Sequence, residues 1–285
     1  MFERPEAAVD DSRPSALYAV FGHPIAHSKS PTIQRAFAKA SHIDMDYRAI
    51  DVDADRFADA LADFTRQGGR GANITLPLKG AAYAHCAQLT DAARRSGVVN
   101  TLIREGDQWR GANTDGRGLI TDLAERFDLD LRGRRALVLG AGGAVQAVLP
   151  DLLDSGVERV VIANRDPAKA DALADRIGQP NHVVTAYWED IATLGAFDFV
   201  LNGTAAGHNG IALRLPGSIA APRAIAYDMN YGNAAIDFMA WARAAGFAHV
   251  HDGLGMLVEQ AAESFAMWHG VRPDTDEVYQ SLLGA

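Results

Sequence analysis

Arg135-Ala136-Leu137-Val138-Leu139-Gly140-Ala141-Gly142-Gly143-Ala144 is the stretch on which the fold turns. Five residues dominated by Leu, Val and Ala predict a buried strand, and the amphipathic run that continues to Ser155 predicts a helix. Between them lie glycines spaced so that the backbone can turn sharply and present bare N–H groups at a helix N-terminus. That is the local geometry that receives a diphosphate. Gly140 permits the turn and Gly142 leaves room for close approach. The third glycine of the standard G-x-G-x-x-G pattern falls at Val145, a departure, although Ala144 and Ala147 are small enough to keep helix and strand together. A glycine-rich turn without a ligand is the plain alternative. The position between a strand and a helix favours the ligand.

Downstream, Arg159 to Ala163 predicts a second strand, Pro167 to Ile177 a helix and Val183 to Tyr187 a third strand. Phe197 to Leu201 and Ala224 to Tyr227 add two more, so the region has the alternation of a doubly wound α/β sheet. The second strand ends in Asn164-Arg165-Asp166-Pro167, about 20 residues past the glycines, where such folds read the adenosine ribose. A guanidinium there suits a 2′-phosphate and a carboxylate suits a free 2′-hydroxyl. Arg165 and Lys169 together outweigh Asp166, which favours NADP with NAD as the alternative. Asp166 could also do no more than cap a helix that has Pro167 at its first position.

Upstream, Leu17 to Phe21, Tyr47 to Val52 and Gly71 to Ile74 predict strands, with helices at Pro31 to Ala40 and Arg56 to Arg66. Val98 to Arg104 and Gln108 to Gly111 predict a hairpin. The last third is helical over Ala234 to Ala245, Leu254 to Trp268 and Thr275 to Leu283.

With 285 residues, 48% of them hydrophobic, the chain can bury two cores of ordinary size. Its net charge of -9 weighs against non-specific nucleic-acid binding. No run approaches the roughly 18 apolar residues of a membrane span. Residues 1–15 are polar and lack the apolar segment of a secretory signal, so they are expected to form a loose extension outside the fold. The single cysteine, Cys86, excludes an internal disulfide framework and a multi-thiolate metal site, and points to a cytoplasmic protein. Only four of the 27 basic residues are lysines, namely Lys29, Lys39, Lys79 and Lys169, so a lysine inside a polar motif invites an explanation.

Four polar segments at strand ends supply candidates. His27-Ser28-Lys29-Ser30-Pro31 places two hydroxyls before a helix, although Ser30 could simply cap it. Asn73-Ile74-Thr75-Leu76-Pro77-Leu78-Lys79 places Asn73 and Thr75 on one side of a strand end, with Lys79 just beyond. A lysine so placed can act as a general acid, whereas most lysines are solvated. Val99-Asn100-Thr101 and Asn113-Thr114-Asp115-Gly116 follow. Asp115 could be only a helix cap.

Taken in order, these segments resemble the shikimate dehydrogenase family from about Tyr18 to Val278. Tyr227-Asp228-Met229-x-Tyr231 and Asp252-Gly253-Leu254-Gly255-Met256-Leu257-x-x-Gln260-Ala261 complete the series. The resemblance implies a two-domain α/β protein. An N-terminal substrate domain would span residues 16–115, rejoined by helices at 255–285, with a Rossmann dinucleotide-binding domain over 116–254. It implies reversible, metal-free, NADPH-dependent reduction of 3-dehydroshikimate to shikimate on the route to chorismate, by a monomer or homodimer. Ser28 and Ser30 would bind the substrate carboxylate, and Asn73, Thr75, Asn100, Asp115 and Gln260 its hydroxyls. Lys79 would be the catalytic acid/base beside Asp115, and Tyr231 would face the substrate. Gly140, Ala141, Gly142, Gly143, Ala144, Asn164, Arg165, Asp166 and Lys169 would hold the cofactor. Met229 and Gly253 would line its nicotinamide, and Asp91 would touch it. Ser96-Gly97 stands where the family more often has Gly-Ala. The stretch from His208 to Ala220 lacks the usual proline pattern. A quinate/shikimate dehydrogenase using NAD is the alternative enzyme, and a non-catalytic NADP- or shikimate-binding paralogue the alternative of another class.

Overall fold

The computed structural model describes residues 15–284, so the extension expected over residues 1–15 lies outside the described residues except for Ser15. In chain order the elements are β1 (Ala16–Gly22), α1 (Ser30–Ala40), β2 (Met45–Asp51), α2 (Phe57–Arg66), β3 (Gly69–Ile74), α3 (Lys79–Ala84), β4 (Gln88–Leu89), α4 (Asp91–Ser96), β5 (Thr101–Glu105), β6 (Gln108–Ala112) and α5 (Asp115–Thr121). The second half contains β7 (Arg135–Leu139), α6 (Gly143–Asp154), β8 (Arg159–Ala163), α7 (Pro167–Ile177), β9 (Val183–Ala186), β10 (Phe197–Asn202), β11 (Ala220–Asp228), α8 (Ile236–Ala244), β12 (His249–His251), α9 (Leu254–His269) and α10 (Asp276–Leu283).

These strands form two sheets of six. The first has the order β2-β1-β3-β5-β6-β4, with β2, β1 and β3 parallel and the β5–β6 hairpin antiparallel. The second has the order β12-β11-β10-β7-β8-β9 and is parallel throughout. A parallel sheet covered on both faces requires strands that are apolar on both sides. β7, β8 and β10 meet that requirement: Leu137, Val138, Leu139, Ile162, Phe199, Val200 and Leu201 are all buried. Apolar clusters fill both faces, one under α6 and α7 and the other under α8.

After β7 the chain winds first towards β9 and later, through β10, the other way. The strand order therefore reverses between β7 and β10. In open α/β sheets the crevice at that reversal, beyond the strands' carboxyl ends, is where ligands sit. α5 runs on into a π-helical turn over Asp122–Arg126 and carries the chain from the first sheet to the second. α9 returns it, packing against α5, α1 and the first sheet. No helix among the described residues is long and apolar enough to cross a membrane.

Several boundaries differ from the sequence expectation. Lys79 opens α3, a helix not predicted from the sequence, and α3, α4, β4 and β12 are too short to leave a periodic signal. β5 begins at Thr101, although the backbone of Asn100 still bonds to Ile74 and Ala112 on either side. Tyr187 leaves β9 to precede a 3-10 turn over Trp188–Thr193.

Candidate active site

The reversal point opens onto a cleft of about 580 Å³ whose walls come from both sheets. On the first-sheet side stand Asn73, Thr75, Lys79, Asn100 and Asp115, with Tyr231 and Gln260 contributed by the second half and α9. Lys79 starts α3 just past the end of β3, and Asp115 starts α5 just past the end of β6. Two parallel-running exits thus deliver two side chains distant in sequence to one point. Lys79 Nζ donates to Asp115 Oδ2 at 2.5 Å, with the side chains only 14% and 8% exposed. The other oxygen, Oδ1, accepts from Asn100 Nδ2 at 2.8 Å. Asn100 is itself fixed: its Oδ1 accepts from the Thr114 N–H at 2.9 Å and from the Thr101 hydroxyl at 2.8 Å. Charge-assisted, short and mostly dry, the Lys79–Asp115 contact is a strong one. Asp115 spends both oxygens sideways and makes no cap, so its position at the start of α5 is not what holds it there.

Asn73 lines the cleft, yet its amide is committed to the protein. Its Oδ1 accepts from the Tyr47 hydroxyl at 2.7 Å, and its Nδ2 donates to Ser264 Oγ at 2.9 Å. Gln260 lies 3.4 Å from Asn100 Nδ2 through its Oε1. Tyr231 lines the same wall, and burial raises its phenol pKa. Ser28 sits on the loop entering α1 and Ser30 at the start of that helix, and neither is among the residues that wall the cleft. Ser30 is the first residue of that helix rather than its cap, and Ser28 Oγ accepts from the Ser30 N–H at 3.3 Å. Asp91, which the resemblance brings to the cofactor, lies at the start of α4. It is largely exposed, 3.4 Å from Arg94, and is not part of the cleft wall.

On the second-sheet side the wall comprises Gly140, Ala141, Gly142, Gly143, Ala144, Asn164, Arg165, Asp166, Lys169, Met229 and Gly253. Gly140 has φ +105°, a conformation that side chains rarely adopt, and it turns the chain from β7 into α6. A Cβ on Gly142 or Gly143 would meet nothing within 4 Å, so the space in front of the α6 N-terminus is open. With a 12-residue helix behind it, this opening suits a diphosphate. Asp166 takes the cap position of α7, but its side chain makes no cap bond and lies 3.9 Å from Lys169 Nζ. Asp166 therefore faces the same region as the two cations. These residues fit a phosphorylated dinucleotide.

The cleft also contains residues to which the sequence assigns no role in the site. Trp188, Thr204, Ala205, Ala206, Asn230 and Met256 all line it. Thr204 to Ala206 follow β10 directly, and the rule that ligands gather at strand carboxyl ends would have found them. Trp188 stands two residues past the carboxyl end of β9, where the same rule points, although no polar motif marks it. Next to Met229, the buried Asp228 accepts from Asn202 Nδ2 at 3.0 Å and Asn230 Nδ2 at 2.7 Å. Desolvation outweighs these bonds and pushes its pKa up to about 6.

Three family models match: the shikimate dehydrogenase substrate binding domain over residues 20–102, shikimate / quinate 5-dehydrogenase over 122–215 and the shikimate 5′-dehydrogenase C-terminal domain over 253–283. Shikimate dehydrogenase (NADP(+)) of Stenotrophomonas maltophilia is 54% identical over 93% of this chain and 95% of its own. The crystal structure of an Ael1 enzyme from Pseudomonas putida is 40% identical with TM-score 0.86, covering 94% of this chain and 98% of that one. Shikimate 5-dehydrogenase from Thermus thermophilus, in complex with NADP(H) and shikimate, is 31% identical with TM-score 0.80, covering 94% and 99%. The fold, the cleft and these likenesses agree, and the chain belongs to the shikimate dehydrogenase family.

Proposed function

We propose that this protein is an NADP-dependent shikimate dehydrogenase that reversibly reduces 3-dehydroshikimate to shikimate in the biosynthesis of chorismate and the aromatic amino acids. The observation that carries the proposal is the Lys79–Asp115 pair, 2.5 Å apart and nearly dry, in one cleft with the glycine turn at Gly140 to Gly143. When bound, the reduced nicotinamide supplies the hydride. Lys79 Nζ holds the proton that the carbonyl oxygen takes as negative charge develops on it, and in the reverse direction it receives that proton. Asp115 aims the ammonium group through Oδ2, and Asn100 holds the carboxylate through Oδ1. Thr75, Asn100, Tyr231 and Gln260 would orient the substrate hydroxyls, with Asn73 behind them, and Ser28 and Ser30 would take the carboxylate. Arg165 and Lys169 would pair with the 2′-phosphate. Met229 and Gly253 would flank the nicotinamide.

The division of labour follows the sheets: residues 16–115 with helices 255–285 would hold the substrate, and 116–254 the cofactor. The reading includes a cytoplasmic monomer or homodimer. Its test is an absorbance assay at the reduced-nicotinamide band with shikimate or quinate and NADP or NAD. Turnover should be fastest with shikimate and NADP. Asp166 at the ribose end favours the competing NAD-linked quinate activity, and a faster rate with quinate and NAD would replace the proposal with it. Ligand-dependent stabilisation without turnover would indicate a binding paralogue.

A further inference from the structure

Asn113 lies between β6 and α5, is 4% exposed, and is not among the residues that line the cleft. Its side-chain amide faces two ways. Oδ1 accepts from the backbone N–H of Asp115 at 3.1 Å. Nδ2 donates to the carbonyl of Ala147 at 2.7 Å and to Ser96 Oγ in α4 at 3.1 Å. Ala147 sits one turn into α6, the helix whose N-terminus opens on the cleft. One buried side chain therefore ties the backbone of Asp115 to the body of the helix that would present the diphosphate.

The surroundings make this joint stiff. α4 and α5 both press on α6. A Cβ at Gly116 would overlap the Asp151 carboxylate of α6, so α5 lies as close to α6 as a bare backbone allows. Arg95 of α4 pairs with both oxygens of Asp154 at 2.5 and 2.7 Å. Ser96, which stands where the family more often has glycine, gives the Asn113 amide its second acceptor.

We infer that Asn113 is a positioning residue: it sets the separation between the Lys79–Asp115 pair and the nicotinamide carried by the α6 half. The inference rests on the function proposed above. Hydride transfer needs the reacting carbons at about 3–3.5 Å, and a misplacement of about 1 Å costs about a hundredfold in rate. A side chain linking the two halves at the backbone is well placed to hold that tolerance. Arg95 also crosses to α6 but touches no group in the cleft, so it serves as the comparison for a purely adhesive contact.

The experiment uses the full chain and the variants Asn113→Ala, Ser96→Ala and Arg95→Ala. It measures kcat, KM, the binary Kd for NADPH by its fluorescence, the thermal midpoint, and the primary isotope effect with NADPH deuterated at C4. Asn113→Ala should lower kcat by roughly 10- to 100-fold. Its NADPH Kd should stay unchanged, and the isotope effect should rise as hydride transfer becomes rate-limiting. Ser96→Ala, which removes only one partner of the amide, should show the same pattern in smaller degree and carries the test if Asn113→Ala does not fold. Arg95→Ala should lower the midpoint and leave kcat and the isotope effect alone. The inference is overturned if the Asn113 and Ser96 variants lose no more kcat than Arg95→Ala, or if their loss lies in NADPH affinity. A wild-type enzyme inactive on 3-dehydroshikimate would instead remove the functional reading, and this inference with it.

Discussion

Asp122 offers a direct measure of how burial competes with ion pairing at the junction of the two halves. It lies in the π-helical turn after α5 and is fully buried. Its carboxylate accepts from the Tyr227 hydroxyl at 2.7 Å and from Arg126 Nε at 3.0 Å. Both favour the charged form, yet desolvation outweighs them and raises the pKa from 3.8 to about 6. The folded protein thus binds this proton more tightly than the unfolded chain does. The resulting stabilisation is complete below the unfolded value and is lost as pH rises through about 6. A shift of about two units corresponds to about 3 kcal/mol, of which roughly 1–2 kcal/mol falls between pH 5 and pH 8. His251, lowered to about 4 by burial, works in the opposite direction, so the wild-type profile alone would not isolate Asp122. The difference between wild type and Asp122→Asn does, since asparagine keeps an oxygen for Tyr227 but takes no proton. Urea unfolding followed by tryptophan fluorescence at the two pH values should show the variant gaining on wild type by about 1–2 kcal/mol from pH 5 to pH 8. A difference that does not change with pH would mean that Arg126 holds the carboxylate charged throughout, and would refute the dominance of desolvation.

Lys79→Ala should lower kcat by about 10²- to 10⁴-fold, as expected for loss of a general acid, while equilibrium dialysis finds shikimate Kd changed only modestly. Parallel losses in both would make Lys79 an anchor. Asp166→Ala should tighten NADP binding by about 2- to 5-fold in calorimetry, since it removes a like charge from an exposed site. The thermal midpoint should not move, because Asp166 makes no cap bond; an unchanged Kd would place its carboxylate away from the phosphate. Glu259→Ala should destabilise the protein by about 3 kcal/mol in urea unfolding. The buried Glu259 accepts from Arg126 at 2.6 Å, Arg272 at 2.8 Å and Thr275 at 2.8 Å, and all three would lose that partner. A loss below about 1 kcal/mol would show that the remaining partners of Arg126 suffice.

Much of the site was legible before any coordinates, because strand-end motifs depend on neighbours along the chain. The glycines after β7, Arg165 after β8, Lys79 after β3 and Asp115 after β6 each lie where a strand delivers them to the cleft. Other features left no mark. Trp188 enters the cleft from a 3-10 turn whose sequence has no distinguishing period. Asp91 stands exposed in the first turn of α4, and no local signal relates it to the cleft. Asn113 belongs to a motif whose spacing gives it no role, because its partner Ala147 is 34 residues away on another helix.

The sequence by itself determined the class of fold and the identity of the polar groups, because periodicity and turn chemistry act over a few residues. Only the tertiary structure decided which of those groups meet. Lys79 and Asp115 are 36 positions apart, and their contact exists because β3 and β6 end at the same edge of one sheet. The same holds for Asp122 with Tyr227, 105 positions apart. Such meetings depend on strand order and on the packing of α5 against α6 and α9, which are properties of the folded chain and not of any segment within it.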